Sequence, residues 1–339
     1  MRHPTLRGWA AVVGVVVAGC HHRVRQTDFG ALATTVASPP PGNNWSLPPE
    51  IAERLFARAP GELVALKHTP SGVAGAFKAE VVFPEDGRHV DVKWKEAPHG
   101  DMNGWDNNPR RELAAYVVQK WFLEPEDYVV PTTALRCVPI ERYRRVVPAA
   151  KPTLAGTQCV LGELTLWLLH VTMPEALYDP RRFETDFDYA YHLSNFNVLT
   201  YLIAHRDGRA SNFLVADDEA NRRVFSIDNG ISFGSLIYNF LVANWDVIRV
   251  PAIRRAVVER LRTLRREDID ELGILVELRA DEEGILRPVA PGPNMDPDHG
   301  VRLAPGRVQM GLTGAELDAL AHRIATLIHR VDGGELAVF

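Results

Sequence analysis

The sequence predicts an α+β protein with a β-rich first half containing one helix and a mostly helical second half, and three observations lead there. Two alternating stretches, residues 76–83 and 89–95, flank Pro84-Glu85-Asp86-Gly87 and read as a hairpin closed by a Pro/Asp/Gly turn. Asn108-Pro109-Arg110-Arg111-Glu112 then opens a helix. Asn108 suits its cap and Pro109 its first turn, and Leu113, Val117 and Trp121 recur every fourth residue beside Ala114, Val118 and Phe122. From Tyr189 onward the periodicity turns helical, with an apolar helix at 192–204, another at 251–265 and a Thr313-capped helix at 314–330. Residues 132–140 and 158–171 read as further strands of the first half, and 212–215 and 224–227 as a short strand pair in the second. The charge run from Arg254 to Arg266 reads as a solvated helix face.

A chain of 339 residues has room for one two-lobed unit or two ordinary domains, and its 46% hydrophobic content puts it among folded globular proteins. Lys and Arg number 38 against 43 Asp and Glu, so no whole-chain basic footprint invites nucleic acid. Arg2, His3 and Arg7 precede an apolar run from Trp9 to Gly19 that is too short to span a bilayer as a helix. The run ends Val17-Ala18-Gly19-Cys20, which resembles the lipobox of bacterial lipoproteins. That resemblance implies a signal peptide over 1–20, lipidation of Cys20, and export to the cell envelope. His21 is not the aspartate that retains such proteins in the inner membrane, which favours the outer membrane of a Gram-negative bacterium, facing the periplasm or the surface. Residues 21–50, with Ser38-Pro39-Pro40-Pro41-Gly42-Asn43-Asn44 and Pro48-Pro49, read as an extended linker. The folded part then divides into a first half at 51–172 and a second at 173–339. With Cys20 assigned to lipid, Cys137 and Cys159 remain in an oxidising compartment; they read either as a disulfide joining the strands that flank 138–158 or as two small buried thiols.

The stretch His205-Arg206-Asp207-Gly208-Arg209-Ala210-Ser211-Asn212 fits H-R-D-x-x-x-x-N, and Phe225-Ser226-Ile227-Asp228-Asn229-Gly230 places an aspartate at the end of an apolar strand. Phosphoryl transfer explains this spacing. A carboxylate must meet the acceptor hydroxyl while an Asn oxygen and a second carboxylate hold Mg²⁺ on the phosphates. Asp207, in the motif opened by His205, is the expected base or orienter, and Asn212 and Asp228 are the expected metal ligands.

In these motifs and their order, residues 63–240 resemble the atypical branch of the protein-kinase-like superfamily. The nearest groups are the bacterial phosphatidylinositol 3-/4-kinase-like proteins, the HipA toxin kinases and the secretory-pathway casein kinases. The resemblance implies a bilobal fold with a β-rich N-lobe and a mostly helical C-lobe. It also implies binding of ATP or another nucleotide with Mg²⁺ or Mn²⁺, and a strand lysine paired with a helix glutamate. Here Glu112 supplies the glutamate, and Lys93 or Lys95 the lysine; both fall on one strand face, opposite Val90, Val92 and Trp94. Lys95 is preferred because the related motifs place an apolar residue directly before the lysine. Ser71-Gly72-Val73-Ala74-Gly75 offers a glycine turn for the phosphates through Gly72 and Gly75. The chain departs from eukaryotic protein kinases in having Asp228-Asn229-Gly230 for D-F-G, no A-P-E and no G-x-G-x-x-G. The acceptor is therefore open among protein, lipid and small-molecule hydroxyls.

Competing chemistries find less support. There is no H-E-x-x-H and no clustered His/Cys spacing. Export into a compartment poor in ATP raises one alternative, a catalytically inactive pseudokinase serving as an envelope binding module. The complete set of Lys95, Glu112, Asp207, Asn212 and Asp228 favours the enzyme, since a binding module needs no base beside two metal ligands.

Overall fold

The structure is a computed structural model that describes residues 44–57, 61–69, 75–83, 87–100, 102, 107–218, 221–234 and 245–339. The expected signal peptide, Cys20, Gly72 and the hairpin residues Pro84-Glu85-Asp86 lie outside them. The first half runs α1 (Pro49–Ala57), β1 (Glu62–His68), β2 (Ala76–Phe83), β3 (Arg88–Glu96), α2 (Pro109–Gln119), β4 (Thr133–Pro139), α3 (Ile140–Tyr143) and β5 (Cys159–Leu166). Its strands form one five-stranded sheet in the order β1-β2-β3-β5-β4, antiparallel throughout. One face, bearing Val90, Val92, Trp94, Val160, Leu164 and Leu166, packs with Ala52 and Phe56 of α1 and Tyr143 of α3. At about 25 cal/mol per Å² of apolar surface removed from water, burial on this scale is what holds a central sheet in place.

The second half continues with β6 (Val171–Thr172), α4 (Pro180–Thr185), α5 (Phe187–Leu202), β7 (Phe213–Ala216), β8 (Val224–Ser226), β9 (Ala252–Ile253), α6 (Arg255–Arg262) and α7 (Arg266–Asp270). After these come β10 (Val276–Ala280), β11 (Leu286–Val289), β12 (Val301–Ala304), β13 (Arg307–Met310), α8 (Gly314–Asp332) and β14 (Ala337–Val338). Helix α5 is buried along nearly its whole length, packing Leu193, Phe196 and Leu199 with Ala114 and Val118 of α2 and Leu320, Ile324 and Leu327 of α8. The charged run behaves as an outward face. Val257, Val258 and Leu261 of α6 are buried and its arginines point away, while Arg254 turns inward to pair with Asp127 at 3.1 Å.

The structure corrects four expectations. The region expected to be largely helical carries a four-stranded antiparallel sheet, β11-β10-β13-β12, which caps the outer part of the first sheet. Its Leu278, Ile285, Leu286, Val308 and Met310 join Leu135, Cys137, Cys159 and Leu161 in one apolar cluster. The strand expected over 158–171 breaks after Leu166, and its tail becomes β6, which pairs with β7 instead. Asn108 stands at the start of α2 but makes no side-chain cap bond. The packed chain begins before Pro49: Asn44 is fully buried, donates its side-chain NH₂ to the carbonyls of Leu169 and His170 at 3.0 Å each, and accepts the Leu169 N–H at 2.9 Å. Segment 44–46 thus straps the connection between β5 and β6, with Trp45 edge-on to Phe225.

Cys137 and Cys159, in neighbouring strands with Cα atoms 5.4 Å apart, form a disulfide. The bridge sits inside the cluster that joins the two sheets.

Candidate active site

The H-R-D-x-x-x-x-N segment follows directly from the end of α5. Ala204 takes a left-handed φ of 51°, which stops the helix, and the chain then turns through residues 205–212 into β7. β8 returns antiparallel to β7, pairing Phe213 with Ser226, and the Ile227 N–H donates to the Asn212 carbonyl at 3.0 Å. This short ladder brings Asp228 beside Asn212 although sixteen positions separate them. Both residues line a cleft of about 590 Å³, together with Lys93 and Lys95 of β3, Thr165 of β5 and Arg209. The rest of its wall is largely apolar, from Leu166, Leu168, Leu169, Val171 and Leu214. A polar end of charged groups and an apolar remainder is the composition of a small-molecule site.

Lys93 and Lys95 both reach into the cleft, as strand alternation requires, and Trp94 between them is buried on the opposite face. Their partners differ. Lys93 Nζ lies 2.9 Å from Glu163 Oε1 and 3.9 Å from Glu112 Oε1, and donates to the Ile227 carbonyl at 2.9 Å. Lys95 Nζ lies 3.8 Å from Asp228 Oδ1. Nearness to Glu112 therefore selects Lys93 for the expected strand–helix pair, and Lys95 faces Asp228, the expected metal ligand. An apolar residue precedes each of them, Val92 and Trp94, so the neighbour criterion that favoured Lys95 does not separate them.

Glu112 is buried, and its Oε2 accepts the Asn229 backbone N–H at 2.9 Å and the Asn229 side-chain amide at 3.4 Å, while its Oε1 has no hydrogen-bond partner. Asn229 in turn accepts from Ser226 Oγ at 2.7 Å. Asn229 is thus a buried amide tying the α2 carboxylate to the strand before it. Burial first, then Glu163 and Asp228, push the Glu112 carboxyl up to about 8. Burial acts the same way on Asp228, but Lys95 and Lys93 outweigh it and hold that carboxyl down at about 2. For Lys95, burial disfavours the ammonium, yet Asp228 and Glu112 together raise its pKa.

Asp207 sits behind the cleft wall rather than on it. Its carboxylate accepts three contacts from Arg209, two from Nε at 2.9 Å and one from a terminal nitrogen at 2.5 Å, and its carbonyl accepts the Asn212 amide at 3.0 Å. The Asn212 amide oxygen is left to the cleft side, near Ser211 Oγ at 3.4 Å. His205, expected among the catalytic residues, does not line the cleft. It is fully buried against Phe213, burial pushes its pKa down, and its neutral ring donates Nε2–H to the Asp228 carbonyl at 2.9 Å. Its work is to fix the backbone that carries Asp228. Gly75 has a φ of 73° where the chain enters β2, beside Ala76 of the cleft wall.

Among the described residues no group of three or more His, Cys, Asp or Glu side chains stands ready to hold a metal ion. One carboxylate and one amide oxygen, Asp228 and Asn212, nevertheless suit Mg²⁺, which keeps several waters and takes its other ligands from substrate phosphates. Sequence reasoning missed Glu163 and Arg209. Glu163 was legible as the one charge inside the apolar run Val160-Leu161-Gly162-Glu163-Leu164-Thr165-Leu166, and it is fully buried. Arg209 stood inside the quoted motif without a role. No family model matches the chain, nor does any curated protein, and its chemistry is read from the cleft itself.

Proposed function

We propose that the chain is a nucleotide-dependent phosphotransferase of the protein-kinase-like kind, acting on a hydroxyl acceptor. The observation that carries this reading is the convergence of Lys93, Lys95, Asn212 and Asp228 on one cleft, with Asp207 and Glu112 directly behind. A lysine on the third strand, a glutamate on the following helix, and Asp…Asn and Asp residues on either side of a short strand pair match the parts a kinase uses to hold Mg²⁺-nucleotide. When bound, the metal ion neutralises charge on the phosphates; the chain's own residues then position the reactants. Asn212 and Asp228 hold the metal, Lys95 and Lys93 face the phosphate oxygens, and the apolar wall receives the base. Asp207 accepts the proton of the acceptor hydroxyl once Arg209 turns from its carboxylate toward the transferring group.

The export signal extends the proposal: Cys20 carries lipid and tethers the enzyme to the envelope, so Cys20→Ser should move the protein from the membrane to the soluble fraction. Retention of that variant on membranes would refute the anchor.

The same Arg209 clamp favours a second reading, in which Asp207 is permanently neutralised and the fold is a pseudokinase that binds an envelope partner or ligand without turnover. A thermal shift of the protein lacking residues 1–20, with ATP or GTP and Mg²⁺ or Mn²⁺, separates these. The phosphotransferase predicts a metal-dependent rise that Asp228→Ala abolishes. It also predicts that Asp207→Ala binds nucleotide and turns over none. Binding without turnover in the wild-type chain supports the pseudokinase, and indifference to every nucleotide refutes the phosphotransferase and leaves the binding module.

A further inference from the structure

Helix α2 begins against its own electrostatics. Its first turn carries Arg110 and Arg111, positive charges at the end of a helix that already presents partial positive charge, and no side chain caps it. Both guanidinium groups are nevertheless buried or nearly so, and they meet a single carboxylate. Glu316, on the first turn of α8, lies 2.5 Å and 3.0 Å from two Arg110 nitrogens and 3.0 Å from Arg111. Arg110 also donates to the Gly311 carbonyl at 3.2 Å. The backbone passes so close at Gly300 that a Cβ there would fall 2.2 Å from Arg110 Nε. Glu316 is itself fixed, because it completes a capping box with Thr313: it accepts the Thr313 N–H at 2.9 Å, and its own N–H donates to Thr313 Oγ1 at 3.2 Å. Segment 300–316 thus closes around the start of the helix that delivers Glu112, one residue beyond Arg111, to Lys93 and Asn229.

We propose that Glu316 is a positioning residue for the active site: its clamp on Arg110 and Arg111 sets the placement of α2 and hence of Glu112. The proposal deepens the phosphotransferase reading and rests on it for its catalytic meaning. Charge-assisted bonds are the strong members of their class, and three of them on a largely covered carboxylate, two from the Arg110 fork and one from Arg111, exceed what an ordinary helix contact supplies. The nucleotide-binding geometry is thereby tied to a part of the chain about two hundred positions away. Placing α2 then needs no separate partner, since the chain carries its own wedge.

The experiment uses the full chain in detergent and Glu316→Gln, which keeps the capping box but removes the charge. Hydrogen exchange should run about tenfold faster across α2 while β1–β3 stay as protected as in the wild type. Unchanged protection of α2, or uniform acceleration throughout the chain, overturns the clamp. Should Glu316→Gln fail to fold, Arg111→Gln removes one bond only and should accelerate α2 alone by about threefold. A second arm measures the thermal shift given by Mg²⁺-ATP in the wild type, Glu316→Gln, Glu112→Ala and the double variant. If Glu316 acts through Glu112, Glu316→Gln diminishes the shift in the wild-type background and removes nothing further in Glu112→Ala. Additive losses overturn the positioning role. A wild-type chain that ignores all nucleotides refutes the phosphotransferase reading instead, and the exchange arm still decides the clamp.

Discussion

Replacing Lys93 by Met should be among the most damaging single changes in the protein, and the reason is electrostatic rather than steric. The Lys93 ammonium is the partner of Glu163 at 2.9 Å and the near neighbour of Glu112 at 3.9 Å, and neither carboxylate has more than slight contact with water. Removing one member of a buried pair costs about 3–5 kcal/mol, because the remaining charge loses its partner without regaining its hydration. One Glu163 oxygen already lacks a hydrogen-bond partner, so little local compensation is at hand. At about 2 °C per kcal/mol for a chain of this size, the melting temperature should fall by about 6–10 °C. The informative comparison is the double variant Lys93→Met/Glu163→Gln, which removes the stranded charge and should recover at least half of the loss. Scanning calorimetry without ligand measures both. A loss under about 1 kcal/mol for Lys93→Met, or no recovery in the double variant, would show that the Lys93–Glu163 pair does not bear on stability as the geometry says.

Three further outcomes follow from other parts of the fold. Burial, with Arg223 and Arg254 nearby, pushes buried His192 down to about 3. The unfolded chain therefore takes up a proton that the folded chain refuses. Stability should accordingly decline as pH falls below about 6.5, by about 1.4 kcal/mol per unit from this residue. Urea melts at pH 7.5 and 5.5 test this, and His192→Gln should flatten the slope; an unchanged slope refutes the assignment. Asn44→Ala removes the partner of the Leu169 and His170 carbonyls and of the Asn221 amide, 2.6 Å away. Leaving those groups unpaired should cost about 2–4 kcal/mol in the same assay, and a loss below about 0.5 would dismiss the strap. Reducing the Cys137–Cys159 bridge, which spans a separation of 22 residues, should cost about 3 kcal/mol; equal stability and equal gel mobility before and after reductant would contradict it.

How much of this was legible depends on whether the signal was local. The loop from His205 to Asn212 and the return to Asp228 could be read directly, because the residue types and their spacing serve a single short ladder. The pairing of β2 and β3 was equally plain, since the strict alternation of His89–Lys95 beside a second β-type run has few other meanings. Helix α2 was found, but only part of its buried face was. Of the stripe read from the sequence, Ala114, Val118 and Phe122 are buried and Leu113, Val117 and Trp121 only partly so, while Arg110, Glu112, Ala115 and Tyr116 are buried as well, because both sides of the helix meet protein. The second sheet was missed although Val276-Glu277-Leu278-Arg279-Ala280 and Arg307-Val308-Gln309-Met310 alternate. Each strand is only four or five residues long, and such runs between Pro, Gly and Asp look like loops until a partner is known. Glu163 stood out as a lone charge in an apolar run, but its partner Lys93 and the role of Glu316 depend on residues far away in the chain.

The cluster that joins residues 97–161 to residues 278–310 also dictates a schedule. Its Cys137 and Cys159 are synthesised over a hundred positions before the strands that cover them, and residues 337–339, through β14 on β9 and Phe339 against Phe183, pack against the core as well. Contacts of such long range are closed late and slowly. A chain emerging residue by residue can therefore oxidise its thiols while they are still open to solvent, but it cannot cover them until residues 278–310 arrive. Truncating even the final strand should leave a species that collapses without locking, exposed to proteases for as long as the wait lasts.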